Sequence, residues 1–163
     1  YQHLSPRELL DFHGQLCRMG REERKSRAEN LLERVNLSRF ADVPLRKFSK
    51  GMLQRVGLCQ ALLHQPEVLI LDEPMSGLDP LGRALVKELM FEERERGATV
   101  FFSSHILHDV ETLCDRVSIL VKGELRALGT TAELLGDQSL EQMLIEEAQR
   151  DGPVDPKRLG VLA

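Results

Sequence analysis

The sequence contains no tryptophan and a single tyrosine, Tyr1. Little is left for the aromatic platforms on which unpaired bases stack, so nucleic acid is not an expected partner. The uninterrupted apolar runs are only a few residues long, far short of the roughly 20 that a membrane-spanning helix needs. No signal peptide is visible. The chain opens on "YQHLSPRELL", polar and without an initiator methionine, which points to a piece cut from a longer polypeptide. Cysteine is scarce: Cys17, Cys59 and Cys114 are odd in number and widely spaced, with no Cys-x-x-Cys. They fit neither a zinc-ligand spacing nor a disulfide framework and read as reduced core thiols. Also missing is G-x-x-x-x-G-K-[ST], the glycine-rich loop whose backbone amides and lysine hold phosphates. "GLDPLGRA", Gly77 to Ala84, has the glycine spacing but carries Arg83 and Ala84 where Lys and Ser/Thr belong.

What is present suits a globular domain with a real core: 163 residues, 42% hydrophobic and 29% charged. The net charge of −4 hides an asymmetry. Residues 1–58 carry 12 basic and 7 acidic side chains, whereas residues 59–163 carry 10 and 19. Such a split fits two subdomains with different partners.

The first half reads as helix. "SPRE", Ser5 to Glu8, is a capping box with proline at the first helical position. Apolar residues then recur at helical spacing up to a stop at Gly20. A second helix is expected over about Arg21 to Asn36, then an irregular link over Leu37 to Pro44. Ser49 caps a third helix that runs to about Leu63 and is ended by Pro66, with Gly51 in its first turn.

Beyond it, strands and helices alternate. Val68–Leu71 is all apolar, as in a parallel strand covered on both faces. Leu81–Arg96 is an amphipathic helix closed by Gly97. Ala98–His105 is a strand, Leu107–Cys114 a helix, and Arg116–Val121 a strand turned by "KGE" into a hairpin partner, Leu125–Leu128. "TAELL" is a short helix. Ser139 with Gln142 caps a last helix to about Arg150, and the Pro- and Gly-containing tail reads as loose.

Chemistry concentrates where "VLILDEP" ends. In open α/β sheets ligands sit beyond the carboxyl ends of the strands, where Asp72 and Glu73 stand. One carboxylate can bind Mg²⁺, directly or through water, and the other can orient or deprotonate a water that attacks phosphorus. His105, ending "VFFSSH", can contact a γ-phosphate or that water. In "FSKGM" a serine cap, a nearby glycine and a free helix N-terminus make an anion site, with Lys50 adding positive charge. Singly, each has a plain alternative: solvated acids at a strand exit, a structural histidine, a capped helix. His3, His13, His64 and His108 read as structural.

Together they read otherwise. Ser49 lies 23 positions before Asp72, "SGLDP" follows Glu73 directly, and His105 lies 32 positions after Glu73. In this order and spacing the sequence resembles the nucleotide-binding domains of ABC ATPases. "FSKGMLQR" is similar to their signature motif, "VLILDEP" to Walker B, "SGLDP" to the D-loop and "SSH" to the switch-histidine loop. The resemblance covers about residues 1–135. Lys50 and Met52 depart from the commoner Leu-Ser-Gly-Gly-Gln signature, a form that resembles ABC-2 exporter-type subunits.

The resemblance implies an α/β, P-loop NTPase fragment. A helical signature subdomain (1–64) precedes the Walker B, D-loop and switch-histidine half of a mostly parallel core sheet with its hairpin (65–135). A C-terminal helix and loose tail (136–163) follow. It implies that Asp72 supports Mg²⁺, Glu73 is the general base or water-positioning acid, and His105 contacts the γ-phosphate of ATP. Ser49, Lys50, Gly51 and Met52 form the signature, of which Ser49 and Gly51 close over ATP held by a second nucleotide-binding subunit. Asp79 lies in the dimer seam. The implied protein is an ATP-hydrolysing subunit at the cytoplasmic face of the membrane, driving a transmembrane permease partner. The phosphate loop is expected on polypeptide outside these residues, so the chain alone is expected to be inactive. A soluble ABC ATPase acting on DNA or ribosomes and a non-enzymatic interaction fragment are the alternatives.

Overall fold

The structure is a computed structural model that describes residues 1–121, 123–135, 142 and 159–162. These form two compact units, Tyr1–Leu69 with Met75–Thr99, and Ile70–Pro74 with the residues from Val100 onward.

The first unit is helical. Helix α1 (Pro6–Leu16) starts on the expected capping box. The Ser5 Oγ accepts from the Glu8 N–H at 3.3 Å, and the Ser5 N–H donates to the Glu8 carboxylate at 2.8 Å. These bonds, the backbone one foremost, hold the Glu8 carboxyl below its ordinary value. The helix stops before Gly20, because Arg18 turns left-handed at φ +58°. Gly20 instead is the N-cap of α2 (Arg21–Arg34). A second left-handed residue, Asn36, follows α2, and the expected irregular link contains a 3₁₀ turn at Ser38–Phe40. A further 3₁₀ turn, Leu45–Lys47, leads to α3 (Lys50–Leu62), capped by Ser49 as expected. The Arg27 guanidinium donates to the Leu62 and Leu63 carbonyls at 2.9 and 3.0 Å, placing a cation on the open C-terminus of α3.

Leu10, Leu32, Val35, Leu62 and Val86 are fully buried in this unit. Cys59 lies among them, and burial pushes its thiol up to about 12, far from the thiolate that reacts. Helix α4 (Pro80–Glu95) buries Val86, Leu89 and Met90 on one face and ends before Gly97, whose φ is +94°.

The second unit is built on a sheet ordered β1-β2-β5-β3-β4. Strand β1 (Val68–Leu71) brings Ile70 and Leu71 into this unit, and β2 spans Thr99–Ser104. After α5 (Leu107–Leu113), β3 (Arg116–Val121) pairs antiparallel with β4 (Glu124–Thr130) along its whole length. The hairpin is therefore longer than "LRAL" alone predicts, and Gly123 sits in its turn at φ +83°. Val117, Ile119 and Val121 alternate into the core. Helix α6 (Thr131–Leu135) follows.

Two expectations need correction. The tail is not wholly loose: Leu159–Leu162 form β5, antiparallel to both β2 and β3. The physical reason is that both neighbours offer unpaired backbone groups, which a third strand satisfies. Being antiparallel to one strand, β2 and β3 run in the same direction. The helix expected from Ser139 to Arg150 lies outside the described residues, apart from Gln142.

Strand β1 is also not covered on both faces. Leu69 is 2% exposed, but Val68 and Ile70 are 57% and 72% exposed. Successive side chains alternate across a strand, and among the described residues only the Leu69 side is packed. An exposed apolar strand face favours self-association. The 163-residue chain purified alone is therefore expected to associate in a concentration-dependent way, and Val68→Thr with Ile70→Thr to lessen it. Sedimentation velocity reads both; a monodisperse parent monomer would contradict the expectation.

Candidate functional site

Two groups of residues singled out in the sequence are each assembled by the fold, one in each unit.

In the second unit, Asp72 and Glu73 follow β1 directly, and Ser103 and His105 come from the end of β2. The Ser103 hydroxyl donates to Asp72 Oδ1 at 2.6 Å and accepts from the Glu73 N–H at 2.9 Å. One side chain thus fixes both the Asp72 carboxylate and the backbone of its neighbour. Glu73 has φ +45°, a left-handed conformation that non-glycine residues adopt rarely and at a cost of about 1–3 kcal/mol. The bond to Ser103 helps to hold it there. This turn directs the Glu73 carboxylate to His105, whose Nδ1 lies 2.8 Å from both Oε1 and Oε2. An ionised carboxylate only accepts, so Nδ1 carries the proton. His105 and Glu73 side chains are 60% and 37% exposed, so water and a polar ligand reach the pair.

Asp72, Glu73 and His105 are therefore neighbours across 33 residues of sequence. Ser103 is the member that sequence reasoning missed. The signal was in view: it stands in "SSH", at the end of the strand beside the acids, two positions before the histidine. Removing its hydroxyl would strand the Glu73 N–H, at a cost of about 1–3 kcal/mol where water does not replace it.

The first unit holds the rest. The Ser49 Oγ accepts from the Met52 N–H at 3.2 Å, so the residue is a helix cap. Lys50 lies along the D-loop: a side chain at Gly77 would meet Lys50 Cδ and Cε at 3.2 Å. The Lys50 chain can yield by the little this needs, but Gly77 also has φ +71°, and that backbone conformation favours glycine. A Cβ on Gly51 would lie 3.4 Å from Leu78 Cδ2 and 3.6 Å from the Gly77 carbonyl, ordinary contact. Packing inside this chain thus does not demand glycine at 51. Asp79 caps α4, accepting from the Gly82 N–H at 3.0 Å, with Pro80 at the first helical position. Signature and D-loop thus pack against each other within one unit.

The helix–strand fold that carries the strand-end acids, Asp72 held by Ser103 and Glu73 by His105, matches a fragment of the P-loop fold of ABC ATP-binding subunits. A solved structure described as the ATP binding subunit of an ABC transporter superposes with a TM-score of 0.85 at 33% identity, covering 91% of this chain and 64% of that one. The family model described as "ABC transporter" matches residues 2–76. An uncharacterized ABC transporter ATP-binding protein of Synechocystis is 46% identical over 153 residues, 93% of this chain and 43% of the relative. The linearmycin resistance ATP-binding protein LnrL of Bacillus subtilis is 38% identical over 148 residues, 89% of this chain and 48% of the relative. Over about nine-tenths of its own length the chain is similar to ABC transporter ATP-binding proteins. It spans less than half the length of these two curated relatives.

Proposed function

We propose that this chain supplies the signature helix and the water-activating half of an ATP-hydrolysing subunit of a membrane ABC transporter. The observation that carries the reading is the contact of His105 with both oxygens of Glu73, at the end of the strand that presents Asp72.

Asp72 fits a hard cation: its carboxylate accepts a bond from Ser103 and keeps further lone pairs on oxygen, the donor that Mg²⁺ prefers. Bound there, Mg²⁺ would neutralise developing charge on the β- and γ-phosphates of ATP. Glu73 orients the attacking water and takes its proton as the oxygen–phosphorus bond forms and the bond to the β-phosphate oxygen breaks. His105 holds the Glu73 carboxylate in one orientation through Nδ1 and so keeps the base aimed.

Ser49, Lys50, Gly51 and Met52 offer a helix N-terminus to the ATP held by a second nucleotide-binding subunit. The amides and the positive end of the α3 dipole suit a phosphate. The room that the chain itself leaves at Gly51 is then used by that ligand. Asp79, by fixing the start of α4, holds the D-loop against the signature; in the dimer seam it couples the two ATP sites. The helical residues 1–64 touch the permease, and the subunit sits peripherally at the cytoplasmic membrane face. No described helix is long and apolar enough to cross a membrane.

The 163 residues contain no G-x-x-x-x-G-K-[ST], so the phosphate-holding loop must come from polypeptide outside them. The expected result is Mg²⁺-dependent ATP turnover by the full-length protein and none by the 163-residue chain. The comparison is a phosphate-release assay on both. Turnover by the short chain, abolished by Glu73→Gln, would overturn the division of labour; no turnover by the full-length protein, alone or with its permease, would overturn the reading itself.

A further inference from the structure

Three side chains read as structural from the sequence come together at one end of the helical unit, away from any role assigned above. His13 and Cys17 stand one turn apart at the C-terminal end of α1, and His64 follows α3. Their candidate donor atoms all lie within 4.8 Å of one another. His13 Nε2 is 3.8 Å from Cys17 Sγ, and the two imidazole rings meet edge-on with centroids 5.9 Å apart. We propose that His13, Cys17 and His64 form a binding site for a zinc-class divalent ion, which ties the end of α1 to the end of α3.

The geometry is near what such an ion needs. Zinc–nitrogen and zinc–sulfur bonds of about 2.0 and 2.3 Å at tetrahedral angles put neighbouring ligand atoms roughly 3.3–3.6 Å apart. The His13–Cys17 separation is already close to this. The remaining contraction falls on His64, which is exposed and free to change rotamer.

The donor set selects the ion. Two imidazoles and a thiolate suit zinc, cobalt or nickel and not magnesium, which demands oxygen. Three protein ligands leave the fourth position to water, and binding releases the Cys17 proton.

A supporting group is within reach. The Gln60 Nε2 lies 3.4 Å from His13 Nδ1, and a half-turn of the amide exchanges its nitrogen and oxygen ends. With the oxygen toward Nδ1 it accepts the ring N–H, leaving the Nε2 lone pair directed at Cys17. That is the second partner a metal-ligating histidine ordinarily has.

The test uses the intact protein, stripped of metal and titrated with Co²⁺ and then Zn²⁺ in excess Mg²⁺. Expected are one equivalent of tightly held ion, a thiolate-to-cobalt charge-transfer band, and the strong visible bands of four-coordinate cobalt. Zinc should bleach these bands and raise the melting temperature by about 5 °C or more at saturation. Cys17→Ser should abolish the charge-transfer band and weaken zinc at least about 100-fold, since even changes to supporting residues cost 10–100-fold. His64→Gln lies at an exposed position that the core does not need, and should weaken zinc comparably with an unchanged far-ultraviolet spectrum. Absence of the charge-transfer band in the parent would overturn the site. So would its survival in Cys17→Ser, or unchanged zinc affinity in His64→Gln.

Discussion

Glu73→Gln in the full-length subunit is expected to bind ATP with little change while turnover falls by about two to four orders of magnitude. The amide keeps the size and shape of the carboxylate but cannot take a proton from water. It also alters the contact with His105, whose Nδ1 now meets two equivalent oxygens at 2.8 Å. A glutamine presents one acceptor and one donor, so only one side of that contact survives. Loss of a negative charge beside the γ-phosphate should also favour the closed, ATP-bound dimer, so the variant should accumulate in that form. The checks are steady-state phosphate release and the dimer fraction by light scattering with ATP. Turnover within a few-fold of the parent would remove Glu73 from the chemistry. His105→Ala is the companion measurement. It leaves the carboxylate in place but unaimed, so it should slow turnover without the same loss of the proton acceptor.

Ser49→Arg is expected to abolish ATP-driven dimerisation while leaving ATP binding to the single subunit intact. The proposed role of Ser49 is in trans, at the N-terminus of α3, where a partner's γ-phosphate would meet the backbone amides. An arginine fills that space and prevents close approach. Within the chain, Ser49 does a second job: its Oγ accepts from the Met52 N–H at 3.2 Å. Losing that cap alone lowers stability by about 1 kcal/mol. The two roles separate by measurement. Thermal melting reports the cap, and the ATP-dependent dimer fraction reports the phosphate site. Ser49→Thr, which keeps a capping hydroxyl, should restore the melting temperature and much of the dimer. A Ser49→Arg protein that melts lower yet dimerises normally on ATP would leave Ser49 as a cap only.

Local rules carried much of the fold. The Ser5–Glu8 capping box, the Ser49 cap, the Gly97 stop and the β3–β4 hairpin depend on groups within a few residues of one another, so short spacing reveals them. The strand-end acids and the histidine were equally legible, because apolar runs ending in polar chemistry mark the carboxyl ends of strands. Less legible were the left-handed turns at Arg18 and Asn36, which shortened α1 and α2. No glycine marks them; each closes its helix in a local cap, with Met19 N–H donating to the Gly14 carbonyl and Leu37 N–H to the Leu32 carbonyl. The burial of β1 was also misjudged. Val68 and Ile70 are as apolar as Leu69, and composition cannot say which face has a neighbour.

The sequence by itself determined the types and order of the strand-end acids, the histidine and the capped helix, and the class of domain that carries them. Tertiary structure alone decided which of those residues meet. Ser103 bridges Asp72 and Glu73, and His105 grips Glu73, through contacts between residues about 30 positions apart. It also joined His13 and Cys17 to His64, some 50 positions away and just past the end of another helix. Such contacts depend on where two elements dock. Docking is fixed by the summed burial of many side chains, not by any local pattern.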